Sequence, residues 1–293
     1  MCIRDRLYNL NQPVFDQATG RFSAPYSPAF SSSGLIAAGL HQIQTTGRSQ
    51  YDSLQVSLAK RPARGLNFLA AYTLSESKDS NSGPLTGDLA ALPGDQQNYD
   101  LSWGPSDWDR RHRFVLSAVW DVPDSYQGNS GLVKGLLNDW QVAGVAVVQS
   151  GTPFSIVCAC GGGGTNSTRA NFAPGFSGSP EGSGPDEERL DRYFNTSAFV
   201  PPVGTFFDPN APFGNTGRNI VRGPGQRNID LSLIKLIPVS GRTRLELRGE
   251  FFNLLNTTNF ANPESSVLSP AFGRISRSST GPRVVQFAVK LVF

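Results

Sequence analysis

Arg283-Val284-Val285-Gln286-Phe287-Ala288-Val289-Lys290-Leu291-Val292-Phe293 closes the chain, and the reading of this stretch decides the fold. Val285, Phe287, Val289, Leu291 and Phe293 fall on one side of a period-two pattern, and Val284, Gln286, Ala288, Lys290 and Val292 on the other. A period of two is the signature of a strand. A soluble domain seldom runs its last strand with apolar side chains out to the carboxylate. A β-barrel that crosses an outer membrane does so, because alternate residues face lipid and a terminal ring sits at the membrane interface.

Six more segments alternate in the same way: residues 51–61, 66–77, 113–122, 140–150, 228–237 and 243–253. Each approaches the ~9–11 residues with which a tilted strand crosses a bilayer. In the first, Leu54, Val56 and Leu58 oppose Ser53, Gln55 and Ser57; in the third, Phe114, Leu116, Ala118 and Trp120 share a side. The pattern at 140–150 is blurred by Ala and Val on both sides. In the sixth, Leu245, Leu247 and Phe251 oppose Arg244, Glu246, Arg248 and Glu250, whose charges alternate in sign. In a barrel this charged side faces the lumen. The exposed side of an ordinary antiparallel sheet has the same pattern.

The connections supply the further argument. They alternate between short or medium (62–65, 123–139, 238–242) and long (76–110, 151–226, 254–282). Outer-membrane barrels have short periplasmic turns and longer extracellular loops. With the long loops outside, the carboxyl terminus is periplasmic, and Trp120, Trp140 and Phe293 fall at periplasmic strand ends, where an aromatic girdle belongs.

The 31 Gly and 21 Pro cluster between the strands, as an all-β chain requires. A net charge of +3 suits a soluble protein or a barrel equally. No run of ~18 apolar residues exists, so a membrane assignment rests on strands alone. Met1-Cys2-Ile3-Arg4-Asp5-Arg6 has no apolar centre or small-residue cleavage site, so it is not a secretory signal. The expectation is therefore a fragment: residues 1–50 a truncated loop and strand region, in part an assembly artefact, and 51–293 a partial barrel. Seven strands are odd where bacterial barrels use an even number. Either an eighth strand lies near 35–44 or, more simply, the chain is the carboxyl-terminal portion of a larger antiparallel transmembrane β-barrel. A partial barrel leaves open edges that lipid does not tolerate.

Several segments resemble TonB-dependent receptors, especially the Oar-like group. They are Asp109-Arg110-Arg111-His112-Arg113-Phe114, Trp140-Gln141-Val142-Ala143-Gly144, Gln149-Ser150-Gly151-Thr152-Pro153-Phe154 and Tyr193-Phe194-Asn195-Thr196-Ser197-Ala198-Phe199. Gly214-Asn215-Thr216-Gly217-Arg218-Asn219, Arg222-Gly223-Pro224-Gly225 and Arg248-Gly249-Glu250-Phe251-Phe252-Asn253-Leu254-Leu255-Asn256, with Asn259-Phe260, complete the set. Each is weak alone; their number and order carry the likeness. The resemblance implies a barrel of about 22 strands, an internal plug, and uptake of an unidentified nutrient driven by the TonB complex. The implied partners are outer-membrane lipid, the barrel assembly machinery, the TonB complex and the nutrient, in a Gram-negative outer membrane. No plug-like segment or TonB box precedes residue 51.

Catalytic chemistry finds no anchor, and no enzyme, cofactor or metal is expected. Gly161 to Gly164 lack a following Gly-Lys-Ser/Thr. His41 and His112 have no partners at ligand spacing, and no serine sits in a Gly-x-Ser-x-Gly elbow. Asn166, Asn195 and Asn256 begin glycosylation sequons of the kind that arise by chance. Asp186, Glu187 and Glu188 form a small acidic group read as a solvated loop, and Cys158 with Cys160 are read either as a local disulfide or as two thiols. Arg110, Arg111 and Arg113 are offset by Asp107 and Asp109 and form no basic stripe, so nucleic acid is not a partner. These arginines are expected at an outer rim, pairing with acidic loop groups or lipid-A phosphates. Phe172, Phe176, Tyr193, Phe194, Phe199, Phe206, Phe207 and Phe213 either grip a ligand at the mouth or pack the long loop against itself, and the second is favoured. Two alternatives remain: a plug-less pore or adhesin barrel, and a soluble carbohydrate-binding β-sandwich with Phe114, Leu116 and Trp120 packed against Leu245, Leu247 and Phe251 across two sheets.

Overall fold

A computed structural model describes residues 6–10, 14–16, 21–23, 41–63, 65–82, 98–158, 168–202, 214–241 and 243–293. Seven long strands dominate: β1 Ser49–Ala63, β2 Leu66–Asp79, β3 His112–Asp121, β4 Trp140–Gln149, β5 Gln226–Ser240, β6 Thr243–Phe252 and β7 Val284–Val292. They hydrogen-bond in chain order, each antiparallel to the next, with the two-residue strand Gly104–Pro105 added beside β2. Every long strand expected from the alternation is present; β1, β2 and β5 run two to three residues further at one end or both.

The register sorts the side chains into two faces, because partners on adjacent strands project to the same face, although Leu69, Val115, Val119, Val145 and Ile234 fall on the otherwise polar one. Phe287 pairs Gly249, Gly249 pairs Leu233, and Leu233 pairs Val142. Val142 pairs Trp120, and Trp120 pairs Leu66. One face thus carries Leu54, Tyr72, Leu116, Ala146, Leu231, Leu247 and Val289 and their neighbours; the other carries Ser57, Thr73, Ser117, Asn228, Ser232, Arg248 and Gln286. Among the described residues no second layer covers the apolar face. Phe287 is 80% exposed, and Leu54, Val56, Leu58, Val289 and Leu291 are all exposed. The sandwich alternative fails here: Phe114, Leu116 and Trp120 share one face of one sheet with Leu245, Leu247 and Phe251, rather than meeting them across two.

Among the described residues β1 and β7 are the sheet's edges. Of the possible eighth strand near 35–44, His41–Gln44 is a strand, but it pairs with Arg6–Asn9 and not with β1; residues 35–40 lie outside the described residues. Gly161 to Gly164, Asn166, Cys160, Phe206, Phe207 and Phe213 lie outside them as well.

The hydrophobic core lies in the loops instead. Ile156, Ala170, Tyr193, Phe194, Ala198, Phe199, Val221 and Ile275 form one buried cluster drawn from loops 150–225 and 253–283. Phe194 meets Phe272 and Phe199 edge-on, at 5.2 and 5.9 Å between centroids, and Phe172 stacks on Phe199 at 5.7 Å. Such pairs add about 0.5–1.5 kcal/mol each beyond their burial. The described loop aromatics therefore pack the loops together into a cap. Three two-residue ladders, Pro153–Phe154 with Val221–Arg222, Val157–Cys158 with Thr168–Arg169, and Asn171–Phe172 with Phe199–Val200, give the cap its backbone bonds. Cys158 is buried within it and disulfide-bonded.

At the opposite end the connection from β3 to β4 is not plain loop. It holds a seven-residue helix, α1 Gly131–Leu137, capped by the Ser130 hydroxyl accepting from the Val133 N–H. Two glycines and a length under two turns left no helical period to read in the sequence.

Candidate functional site

The polar face of the sheet and the cap above it make up the candidate site. On β6, Arg244, Glu246, Arg248 and Glu250 stand in one row on the polar face, because each is two residues from the next. Arg248 donates to Glu246 at 2.5 Å and reaches Glu250 at 3.5 Å. Gln286 on β7 donates to the other oxygen of Glu250. Further along, Gln141 donates to Asp121 at 2.6 Å, Gln149 to Gln226 at 2.8 Å and Asn228 to Asp230 at 2.8 Å. Signs alternate, so the row presents polarity without one net sign. A depression of about 380 Å³ lies on this face between Asn67, Ser117, Val145, Asp230 and Ser232. It offers hydroxyls, amides and a carboxylate. Among the described residues no cluster of His, Cys, Asp or Glu could hold a metal ion.

The cap is fastened to the strand ends by charge. Asp109 is 3% exposed; its carboxylate accepts from Arg222 at 2.6 Å and from the Ser77 amide at 2.7 Å. The same guanidinium donates to the Gly151 carbonyl at 2.9 Å. Here Gly151 is required, since a Cβ would sit 1.9 Å from the Gly223 carbonyl oxygen. Arg218 bonds the buried Asp79 carboxylate and reaches Asp107 at 3.0 Å. Asn219, in the left-handed region at φ 54°, donates to Asp107 and to the Pro105 carbonyl. Asn259 accepts from the Arg227 amide at 2.7 Å and donates to the Arg227 carbonyl at 3.0 Å, tying loop 253–283 to β5. Asp107 and Asp109, which the sequence set against neighbouring arginines, thus pair with Arg218 and Arg222, and Arg218 binds Asp79 besides. Arg110 instead donates to the Ser150 carbonyl at 2.7 Å. Burial, and then the Arg113 and Arg222 cations, hold its guanidinium below the ordinary arginine value.

Trp120 and Trp140 lie on the apolar face at the end of the sheet that carries the short connections, and Phe293 follows β7 at that end, 94% exposed. His112 shares a hydrogen bond with the Tyr72 hydroxyl at 2.8 Å, a structural role. Two of the three acidic residues are paired: Asp186 binds Arg189 at 2.7 Å, and Glu187 binds Arg227 at 3.1 Å. Tyr193 is buried beside Asp186, and burial first, then that carboxylate, push its phenol well above the ordinary value. Sequence reasoning missed the seam formed by Arg218, Asn219, Arg222 and Asn259, although all four lie in the quoted resembling segments.

Among protein families, the model described as outer membrane beta barrel domain matches residues 4–286. No curated protein and no solved structure matches the chain.

Proposed function

The chain belongs to the outer membrane beta barrel domain family, and on that premise we propose that it is part of the wall of a TonB-dependent receptor that takes up a nutrient. The outer membrane is its location; a Gram-negative host, the periplasmic assignment of the short turns and the coupling to TonB belong to the proposal. One observation carries the reading most. The described parts of loops 150–225 and 253–283 fold into a single cap with its own core, latched to the ends of a wall that is mainly polar on one face and bare hydrocarbon on the other. That arrangement suits a solute-binding mouth over a wet lumen. The convergence of Asp109, Gly151, Arg222 and Asn259 on the latch agrees with the resemblance, because these residues come from four of its segments.

Among the described residues the sheet has two edges whose N–H and C=O groups cannot face lipid; in this reading further strands close the wall. In this reading the loops capture ligand, a plug inside the completed barrel rearranges, and the inner-membrane proton-motive force, delivered through TonB, supplies the work. The polar face provides hydrogen-bonding side chains along the path and no covalent chemistry.

The test uses the full-length gene product. In a planar bilayer it is expected to show no steady conductance, and its periplasmic face to bind the isolated periplasmic domain of TonB. Steady conductance with no TonB binding would replace the receptor by a plug-less pore.

A further inference from the structure

The end of the sheet away from the cap carries an apolar feature that transport does not use. Helix α1 lies beside the apolar face, with Leu132 90% and Leu136 68% exposed, and Val133 and Leu137 exposed too. Its placement is fixed. The Trp140 indole donates to the Leu136 carbonyl at 2.9 Å. The buried Asn138 side chain bonds the Tyr126 backbone in both directions, at 3.0 and 2.8 Å. Lys235, only 6% exposed, donates to the Asn138 carbonyl and lies 5.6 Å from the Trp140 ring centroid.

Between α1 and the sheet runs a groove of about 510 Å³ lined by Leu136, Trp140, Leu233, Leu247, Phe251 and Phe287. At Gly249 the floor carries no side chain, and a Cβ there would stand in van der Waals contact with the Phe287 ring, at 3.4 Å. The groove continues the bare apolar face, and Lys235 interrupts that face only at the foot. The charged residue of the helix, Lys134, is exposed.

We propose that this is an acyl-chain site. Helix α1 lies in the boundary between headgroups and chains of the periplasmic leaflet, and one phospholipid chain occupies the groove against β5, β6 and β7. The family places the apolar face in a membrane, and a short helix rich in leucine, with a lysine and a neighbouring tryptophan, has the make-up of an interfacial anchor. The inference rests on the outward reading of that face.

A benzophenone amino acid is placed singly at 124, 132, 136 or 287 of the full-length protein. The protein is then reconstituted in vesicles of phosphatidylethanolamine and phosphatidylglycerol and irradiated. Lipid adducts at 132 and 136 are expected at about the yield of 287, and about tenfold above 124 in the turn. Gly249→Leu, which sets a bulky side chain on the floor and pushes the Phe287 ring into the groove, is expected to lower the yield at 136 about fivefold and leave that at 132 unchanged. Adducts at 287 without adducts at 132 and 136, or cross-links there to protein alone, overturn the site and leave the barrel standing. Loss of adducts at 287 as well overturns the outward face itself.

Discussion

Arg222 reaches from the end of one long loop to Asp109 at the end of another, and both charges are largely shielded from water. Removing one partner of such a pair leaves a buried charge uncompensated, at a cost of about 3–5 kcal/mol. Arg222→Ala is therefore expected to open the cap. Hydrogen exchange of the Ser77 amide, which shares the same carboxylate, should accelerate by orders of magnitude, and unchanged exchange would refute the latch. Tyr193 gives a pH signature. Its folded phenol value is raised above the unfolded value of about 10, so the neutral form favours the folded cap. That stability is whole below pH ~10 and is lost as pH rises through the folded value. Alkaline difference spectra should show one late-ionising tyrosine that Tyr193→Phe removes.

At the scale of elements, face assignment is the quantity to test. Leu247 lies on the bare apolar face and Ser117 on the polar one. An arginine on the lipid side near the bilayer midplane costs about 2–4 kcal/mol, whereas the lumen side tolerates it. Leu247→Arg should lower folding efficiency into vesicles sharply and Ser117→Arg little; equal effects would mean that the faces are misassigned. The strands were legible because alternation is local: each residue's side follows from its neighbours alone. Even β4, blurred by Ala143, Val145 and Val147 on the polar face, takes its register from β3 and β5. Helix α1 was not legible. Its seven residues have no periodicity to exceed noise, and tertiary bonds from Trp140 and Asn138 hold it.

For the whole molecule, the full-length protein is expected to need detergent for extraction and to migrate differently on a gel before and after boiling, since a closed barrel resists detergent when cold. A product that leaves cells as a soluble monomer would contradict the wall reading at its root. The placement of the core supports that expectation. Apart from Ile234, the buried hydrophobic residues among those described belong to the loops, while the sheet's apolar side chains stay uncovered. A water-soluble protein arranges these the other way round.

The sequence by itself determined the seven strands, which residues share each face, and the rhythm of short and long connections. These depend on backbone geometry with a period of two and on glycine and proline punctuation, both readable within a few residues. The tertiary structure alone decided the latch, the core of the cap and the groove beside α1. Arg222 and Asp109 are 113 residues apart, and nothing local tells a charge which distant partner folding will bring to it.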